Sequence, residues 1–192
     1  MVGSLIESEA SRFRRVKRAF VTGGSGFVGR NLIPALRTRG IDVRALARSD
    51  SAMAAVKQLG AEPVRGDLSA DAANVASVLG GMAGCDVVFH AAAHVKEHGK
   101  LAEFERINVA GTKAMLDCAK RAGVARFVHV GTEAVLADGK PIIRADETRP
   151  YPAHPMGPYP ITKGAAERAV IEANADNFAT IASIARYVDS RR

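Results

Sequence analysis

The amino-acid sequence predicts an α/β fold, a doubly wound parallel sheet with helices on both faces. Short runs of apolar, branched residues alternate with longer helical patterns from Ala19 onward, which is typical of βαβ units. A glycine-rich turn joins the first strand to the first helix. The composition, with 47% hydrophobic and 24% charged residues over 192 positions, is that of a globular chain with a sizeable core. It excludes intrinsic disorder, collagen repeats and a disulfide scaffold.

Six short strands are expected, each a run of branched or apolar residues. They are placed at residues 19–22, 41–47, 62–65, 86–90, 126–130 and 178–188. Residues 137–158 are rich in proline and glycine and are expected to form a long loop. Loops of that length inside a compact domain are usually functional.

Five helices are expected between these strands. They cover residues 27–39, residues 51–59, a segment that begins near a Ser69 cap, residues 103–122 and residues 160–175. In the first of them Val28, Leu32 and Leu36 are predicted to share the apolar face. Gly40 is expected to end that helix, because glycine accepts the left-handed conformation after a last helical turn.

The turn after the first strand reads Thr-Gly-Gly-Ser-Gly-Phe-Val-Gly from position 22 to position 29. Gly23 permits a tight turn, Gly26 lets the backbone approach a pyrophosphate, and Gly29 lets the helix pack closely on the sheet. The pyrophosphate would lie on the N–H groups and the positive dipole end of the helix. With a strand before it and a helix after it, the turn predicts a Rossmann-type dinucleotide site. Its expected residues are Gly23, Ser25, Gly26, Phe27, Val28 and Gly29.

The end of the second strand bears on the choice of dinucleotide. It would face the adenosine ribose, where an Asp or Glu binds the 2′-hydroxyl of NAD. No acid stands there, since Ala47 is followed by Arg48 and Ser49. Arg48 can pair with a 2′-phosphate in a charge-assisted contact, so NADP is favoured as the cofactor. Asp50 close by leaves NAD as the alternative.

Five later segments appear in a definite order and spacing. They are Gly66-Asp67-Leu68, His90-Ala91-Ala92-Ala93, Asn108-Val109-Ala110-Gly111-Thr112, Val130-Gly131-Thr132 and Tyr159-Pro160-Ile161-Thr162-Lys163. With the glycine turn, they make residues 18–188 resemble the extended short-chain dehydrogenase/reductase family, the NAD-dependent epimerase/dehydratase and 3β-hydroxysteroid dehydrogenase-like group. The resemblance implies that Asp67 contacts the adenine and that the cofactor site includes Leu68. It also implies that the small side chains of Ala91, Ala92 and Ala93 leave room beside the cofactor ribose and nicotinamide.

The pair Tyr159 and Lys163 has a chemical rationale of its own. Four residues apart on a helix, the two side chains share a face. A free tyrosine is a poor base at neutral pH, and a nearby ammonium group stabilises its phenolate. The resemblance implies further that Tyr159 and Lys163 also contact the cofactor, that the Thr132 hydroxyl holds the substrate oxygen, and that Asn108 fixes the local backbone and a water.

These residues predict an NAD(P)-dependent oxidoreductase that interconverts a secondary alcohol and a ketone on a small-molecule substrate. Sugar-nucleotide epimerisation or dehydration is the alternative within the same family. Val130 and Gly131 stand before Thr132, where sugar-nucleotide members often have Ser-Ser, and this favours the ketone- or steroid-reducing branch. A non-catalytic dinucleotide-binding module is the alternative from a different class.

The expected domain organisation is a basic N-terminal extension, residues 1–18, followed by one NAD(P)-binding Rossmann domain, residues 19–192. The family usually continues for another hundred residues or more that build a substrate-binding lobe, which this chain is expected to lack. The formal net charge is +7, and five of these units lie in residues 1–18 and 186–192. A basic end on a nearly neutral body is usually solvated, so no specific nucleic-acid partner is expected.

Several other kinds of site are not expected. The five histidines have no metal-site spacing, so His90 and His129 are interpreted as packed or hydrogen-bonded strand residues. No apolar run reaches the length of a membrane span. Cys85 and Cys118 stand apart without a CxxC pattern, which favours two structural thiols and a cytoplasmic location. A homodimer is left open.

Overall fold

The computed structural model describes residues 16–96, 98–146 and 148–177, with side chains up to residue 173 in the last segment. Most of the basic extension and the whole expected sixth strand, residues 178–188, lie outside the described residues. The first strand begins at Arg18, one residue before the expected domain boundary.

Five parallel strands form one sheet in the described residues, which confirms the predicted fold class. They are β1 (Arg18–Thr22), β2 (Asp42–Ala47), β3 (Glu62–Arg65), β4 (Val87–His90) and β5 (Arg126–His129). Their spatial order is β3-β2-β1-β4-β5. The order reverses between β1 and β4, and a crevice for ligands forms at such a switch point, beyond the carboxyl ends of the strands.

The helices follow the predicted alternation with strands. They are α1 (Phe27–Thr38), α2 (Asp50–Gln58), α3 (Ala72–Met82), α4 (Leu101–Phe104), α5 (Gly111–Arg121) and α6 (Pro158–Asn177). A π-helical turn, Glu105–Ala110, joins α4 to α5, so the single helix expected at residues 103–122 starts earlier and contains an irregular turn. A short 3₁₀ helix, Glu133–Leu136, follows β5. The described residues between 137 and 157 contain neither helix nor strand, as expected for the long loop.

Helices cover both faces of the sheet. On one face Val21 of β1 lies in a cluster with Ile33 of α1 and Val56 of α2. On the other face Phe20 lies in a cluster with Met82 of α3 and Met115 of α5. Consecutive residues of β1 therefore enter two separate apolar layers, because successive side chains of a strand point to opposite faces.

The apolar face of α1 differs from the prediction. Its buried residues are Gly29, Ile33 and Leu36, while Val28 is 38% exposed. The rotation of the helix is set by Gly29, which lies against the backbone of the glycine turn. Val28, one residue earlier, is about 100° around the helix and is therefore turned outward.

The cap of α3 also differs from the prediction. The carboxylate of Asp71 accepts a hydrogen bond from the backbone N–H of Asn74 at 2.9 Å, and the helix begins at Ala72. The hydroxyl of Ser69 instead donates to the Asp71 carboxylate. Aspartate and serine are both good N-cap residues, so the sequence alone did not separate the two positions.

Two simpler expectations can be compared directly with the structure. Cys85 and Cys118 are free and buried, which confirms that they are structural thiols. Gly40 has a φ of 72° and follows the last residues of α1, as predicted. No helix in the described part of the chain is long and apolar enough to cross a membrane.

Candidate active site

Two glycines of the turn are required by close backbone contacts. Gly23 has a φ of 69°, and a Cβ at this position would lie 2.7 Å from the backbone of Ala91 and Ala92. A Cβ on Gly29 would overlap the carbonyl oxygen of Gly23 and the Cα of Gly24. Any larger residue at either position would push α1 or β4 away from the turn.

The third glycine, Gly26, is exposed and is the N-cap residue of α1, immediately before Phe27. Its nearest neighbour to an added Cβ is the carbonyl oxygen of Gly23, at 3.2 Å. No side chain among the described residues caps this helix start, and Phe27 is 88% exposed. The backbone of Ser25 is held by the Arg30 guanidinium, which donates to its carbonyl oxygen at 2.8 Å. An open, uncapped helix N-terminus on a glycine turn fits the pyrophosphate of a dinucleotide.

An exposed arginine follows the end of β2, and an aspartate that forms an ion pair lies two residues further along the chain. Arg48 is exposed, whereas the Asp50 carboxylate pairs with the guanidinium of Arg65. The hydroxyl of Ser49 accepts a hydrogen bond from the backbone N–H of Ala52 at 3.2 Å and so caps α2. Asp50 is therefore part of an exposed ion pair next to Arg48.

The loop after β3 is held by a side chain that the sequence reasoning missed. The Asn74 amide oxygen accepts from the backbone N–H of Asp67 at 2.7 Å, and its NH₂ group donates to the Asp67 and Ser69 carbonyl oxygens. Leu68 packs against Gly111, where an added Cβ would lie 2.8 Å from the Leu68 Cβ. Asp67 itself is exposed, so its carboxylate is accessible from solvent.

The small residues after β4 lie next to the glycine turn. Ala91, Ala92 and Ala93 are all half-buried. The backbone N–H of Ala92 donates to the hydroxyl oxygen of Thr22 at 3.2 Å. Thr22 thus ties the end of β1 to the end of β4 at the point where the strand order reverses.

A buried group of polar side chains lies beneath this edge of the sheet, and we call it the histidine cluster. Its members are Thr22, His90, Thr112, His129 and Lys163. His90 hydrogen-bonds through Nδ1 to the Thr22 hydroxyl at 2.8 Å and through Nε2 to the Thr112 hydroxyl at 3.0 Å. Burial, with His129 and Lys163 nearby, holds the pKa of His90 well below its usual range. The prediction that His90 and His129 are packed or hydrogen-bonded is confirmed.

Asn108 lies in the π-helical turn and is 2% exposed. Its amide oxygen accepts from the backbone N–H of His94 at 2.7 Å, and its NH₂ group donates to the His94 carbonyl at 3.2 Å and to the Thr162 hydroxyl at 3.1 Å. One side chain therefore joins the loop after β4 to α6. Thr162 stands next to Lys163 in the sequence, but only the tertiary structure shows that its hydroxyl accepts a hydrogen bond from Asn108.

Lys163 is 4% exposed and is held at the end of β5. Its Nζ lies 2.7 Å from the Val130 carbonyl oxygen and 3.0 Å from Nε2 of His129. Burial lowers the pKa of Lys163 to about 8, against the opposing effect of Glu167. Burial and the neighbouring Lys163 lower the pKa of His129 to about 3.

The remaining two expected catalytic residues, Thr132 and Tyr159, both precede this lysine along the chain. Tyr159 is half-buried in the first turn of α6, one helical turn before Lys163. Thr132 follows Val130 by two residues and begins the 3₁₀ helix, where its hydroxyl oxygen accepts from the backbone N–H of Ala134 at 3.3 Å. The Lys163 contact with Val130 therefore joins α6 to the segment that carries Thr132.

The match to known proteins agrees with this geometry. A model of the NAD dependent epimerase/dehydratase family matches residues 19–189. The chain belongs to this family. The match confirms the resemblance inferred from the glycine turn and the five later segments. The matched range includes both the glycine turn and the segment of Tyr159 and Lys163.

The relatives within this family include oxidoreductases. A 4-hydroxy-2-methyl-3-oxo-4-farnesyl-3,4-dihydroquinoline-1-oxide ketoreductase of Stigmatella aurantiaca is 49% identical over 171 residues, 89% of this chain and 50% of that protein. A 3-beta-hydroxysteroid dehydrogenase of Mycolicibacterium neoaurum is 37% identical over 166 residues, 83% of this chain and 44% of that protein. The chain spans about half the length of these curated relatives.

Solved structures share the fold. A short-chain dehydrogenase/reductase superfamily protein of Agrobacterium tumefaciens with bound NAD is 30% identical, with a TM-score of 0.68 over 83% of this chain and 46% of that chain. MoeE5 in complex with UDP-glucose and NAD is 27% identical, with a TM-score of 0.68 over 82% and 49% of the two chains. The similarity again covers about half of each neighbour.

Proposed function

We propose that the chain carries the cofactor-binding and catalytic residues of an oxidoreductase that prefers NADP(H) and interconverts a secondary alcohol and a ketone. In this proposal Tyr159 exchanges the proton of the alcohol, Lys163 stabilises the phenolate, and Thr132 holds the substrate oxygen. The relative that is 49% identical is a ketoreductase, which supports reduction of a ketone as the reaction class.

The observation that carries the proposal is the position of Lys163. A lysine ammonium buried to 4% exposure loses its hydration, and it is retained where its charge interacts with a specific partner. Tyr159 lies one helical turn before it, on the same face of α6. A positive charge at that spacing stabilises the phenolate that proton transfer requires.

When bound, the nicotinamide cofactor accepts or supplies the hydride. The uncapped start of α1 binds its pyrophosphate through backbone N–H groups. Tyr159 takes the hydroxyl proton in the oxidative direction and returns it in reduction. Thr132 orients the substrate oxygen towards Tyr159, and Asn108 holds the backbone of His94 beside the site through two hydrogen bonds.

The preference for NADP(H) rests on the charges at the end of β2. Arg48 is exposed and can pair with a 2′-phosphate. Asp50, the acid that would bind the 2′-hydroxyl of NAD, is paired with Arg65. The arrangement therefore favours the phosphorylated dinucleotide, although a structural neighbour was solved with NAD.

Sugar-nucleotide chemistry is the second candidate, and one observation favours it. MoeE5, 27% identical, was solved with UDP-glucose and NAD. An epimerase would keep its cofactor bound and show no net oxidation or reduction. A non-catalytic binding module would bind the dinucleotide without any turnover that depends on Tyr159.

The test combines cofactor titration with turnover. NADPH and NADH are titrated by fluorescence, and a panel of ketones and UDP-sugars is then assayed with wild type and Tyr159→Phe. We expect Tyr159→Phe to lower kcat by about 10²-fold or more while the Kd for NADPH stays the same. Tyr151→Phe is the matched control for the loss of a tyrosine hydroxyl. The ring of Tyr151 packs under the guanidinium of Arg168 and its hydroxyl bonds Glu167, so this variant should retain most of the activity. Equal turnover in wild type and Tyr159→Phe would reject the proposed function.

A further inference from the structure

The ammonium group of Lys163 has two acceptors that come from consecutive residues. Nζ donates to the carbonyl oxygen of Val130 at 2.7 Å, and Nε2 of His129 lies at 3.0 Å. An ammonium group has three N–H donors. Two are thus directed at the end of β5, and one is left for a group outside these two residues.

The donor and acceptor chemistry of this contact assigns the tautomer of His129. A lysine ammonium can only donate, so Nε2 must accept and the ring proton must be on Nδ1. Burial and the adjacent lysine charge hold the pKa of His129 near 3. The ring therefore remains a neutral acceptor throughout the neutral pH range.

The orientation of the His129 ring is set from its other side. It stacks on the His90 ring, with centroids 5.5 Å apart and planes 28° apart. His90 is itself held at both nitrogens by the hydroxyls of Thr22 and Thr112. Side chains from β1, β4 and α5 thus support the side-chain acceptor of the lysine, while the second acceptor is a backbone carbonyl oxygen.

A purely structural role leaves one feature of His129 without a reason. Its Nδ1 is buried and has no hydrogen-bond partner among the described residues. An apolar ring would fill the same space and avoid the loss of stability from an unpaired buried donor.

We propose that His129 is a positioning residue for Lys163: its Nε2, with the carbonyl oxygen of Val130, fixes the ammonium group at the carboxyl end of β5, next to the segment of Thr132. The inference rests on the proposed function of Lys163 and deepens it. The charged or titratable groups near the ammonium are His129 from β5, with His90 behind it, and Glu167 on α6 itself. Tyr159 lies one helical turn earlier on the same helix.

The first test replaces the ring while keeping or removing the acceptor. His129→Phe retains a flat ring against His90 but cannot accept, whereas the side-chain oxygen of His129→Gln can. We expect the Phe variant to lower kcat about tenfold or more with little change in KM, and to shift the basic limb of the pH–rate profile to lower pH, because the ammonium form loses an acceptor. The Gln variant should recover most of the rate and the profile.

Two magnetic resonance measurements do not depend on catalysis. The ¹⁵N shifts of His129 at pH 7, assigned by their absence from His129→Gln, should show a neutral ring protonated on Nδ1. Titration of the Lys163 side chain, followed through its ¹³Cε shift, should give a pKa about one unit lower in the Phe variant than in wild type.

The outcomes separate this inference from the proposed function. A ring protonated on Nε2, or a Lys163 titration and a kcat unchanged in His129→Phe, would overturn the positioning function. Equal loss of rate in the Phe and Gln variants, accompanied by equal loss of melting temperature, would also overturn it in favour of packing alone. A wild-type chain without any turnover would reject the proposed function, and the two magnetic resonance measurements would still decide the contact.

Discussion

The glycine turn and the histidine cluster lie at the same edge of the sheet but are built in different ways. The turn takes all of its essential residues from one segment, positions 22–29. The histidine cluster takes its five side chains from β1, β4, α5, β5 and α6. Thr22 belongs to both, since it ends β1 before Gly23 and hydrogen-bonds His90 at 2.8 Å.

This difference has a physical consequence. A local turn depends on backbone conformation and close approach, so a single added Cβ disrupts it. A buried polar cluster depends on each group having a partner, so the loss of one partner leaves another group unsatisfied. The following predictions test this contrast, beginning with the largest expected effect.

Gly29→Ala and Gly26→Ala should separate packing from binding within the turn. The Cβ in Gly29→Ala would overlap backbone atoms of Gly23 and Gly24, so we expect the free energy of unfolding to fall by about 3 kcal/mol. Gly26→Ala should cost less than about 1 kcal/mol but weaken NADPH binding, because its Cβ would face the pyrophosphate. Urea denaturation and NADPH titration measure the two effects. Equal loss of stability in both variants would contradict this account.

Asn108→Ala should show how one buried side chain supports distant segments. It would leave the backbone N–H and carbonyl of His94 without the partners seen here, and we expect a loss of about 2 kcal/mol. Thr162→Val removes one of the three hydrogen bonds of Asn108, and with it the bond that the Thr162 hydroxyl donates to the Pro158 carbonyl oxygen within α6. The shape of the side chain is kept, so the loss should be about 1 kcal/mol. Thermal and urea unfolding compare the two. A larger loss in the Thr162 variant would place the main support elsewhere.

Acid should destabilise the histidine cluster. The unfolded chain binds protons on His129 near pH 6.5, whereas the folded ring resists protonation until its pKa of about 3. The free energy of unfolding should therefore fall as the pH drops from about 6.5 towards 3, by about 1 kcal/mol or more at pH 5. His129→Gln removes this titrating ring and should reduce the dependence, while the lowered pKa of His90 maintains part of it. Urea midpoints at pH 7 and pH 5 test it, and parallel curves for the two proteins would count against it.

Lys163 should also make the free energy of unfolding increase with pH, here in the alkaline range. Its pKa is about 8 in the folded chain against an ordinary value of 10.5, so the unfolded chain binds the extra proton and stability should rise between these values. Lys163→Met should abolish this rise in the urea midpoint, whereas Lys57→Met, at an exposed position of α2, should preserve it. Loss of the rise in both variants would argue against burial of the charge as its cause.

Arg48→Ala should produce the smallest and most selective change. We expect NADPH binding to weaken about tenfold, the loss of one charge-assisted contact, with NADH binding unchanged. Lys57→Ala is the matched control, because it removes the same charge from an exposed position of α2. Comparable affinity of the wild type for both cofactors would already exclude the function proposed for Arg48.

The parts predicted well are those whose signal is local. The third strand, Glu62–Arg65, was placed at its observed bounds, because it lies between Gly60 and Gly66, which limit the segment on both sides. Val28 was wrongly assigned to the apolar face, since the rotation of α1 depends on the contact of Gly29 with the turn. The cap at Ser69 was wrong for a similar reason, because Asp71 competes for the same function.

The candidate site was also predicted unevenly. Tyr159 and Lys163 were found because their spacing on one helix is visible in the sequence. Thr162, Asn74 and His129 were missed as functional positions, because their importance lies in contacts with residues that are distant along the chain. His129 was interpreted as a packed or hydrogen-bonded strand residue without a named partner, and its contact with Lys163 spans 34 positions.

The sequence by itself determined the order of strands and helices, the glycine turn and the chemical types at the site, because each of these depends on neighbours within a few residues. The tertiary structure decided which polar groups are buried together and therefore which pKa values move. In the sequence, Lys163 is distinguished only by its motif and its spacing from Tyr159. It becomes a charge held by His129 and Val130 only when α6 packs against β5, because desolvation and hydrogen bonding act through space.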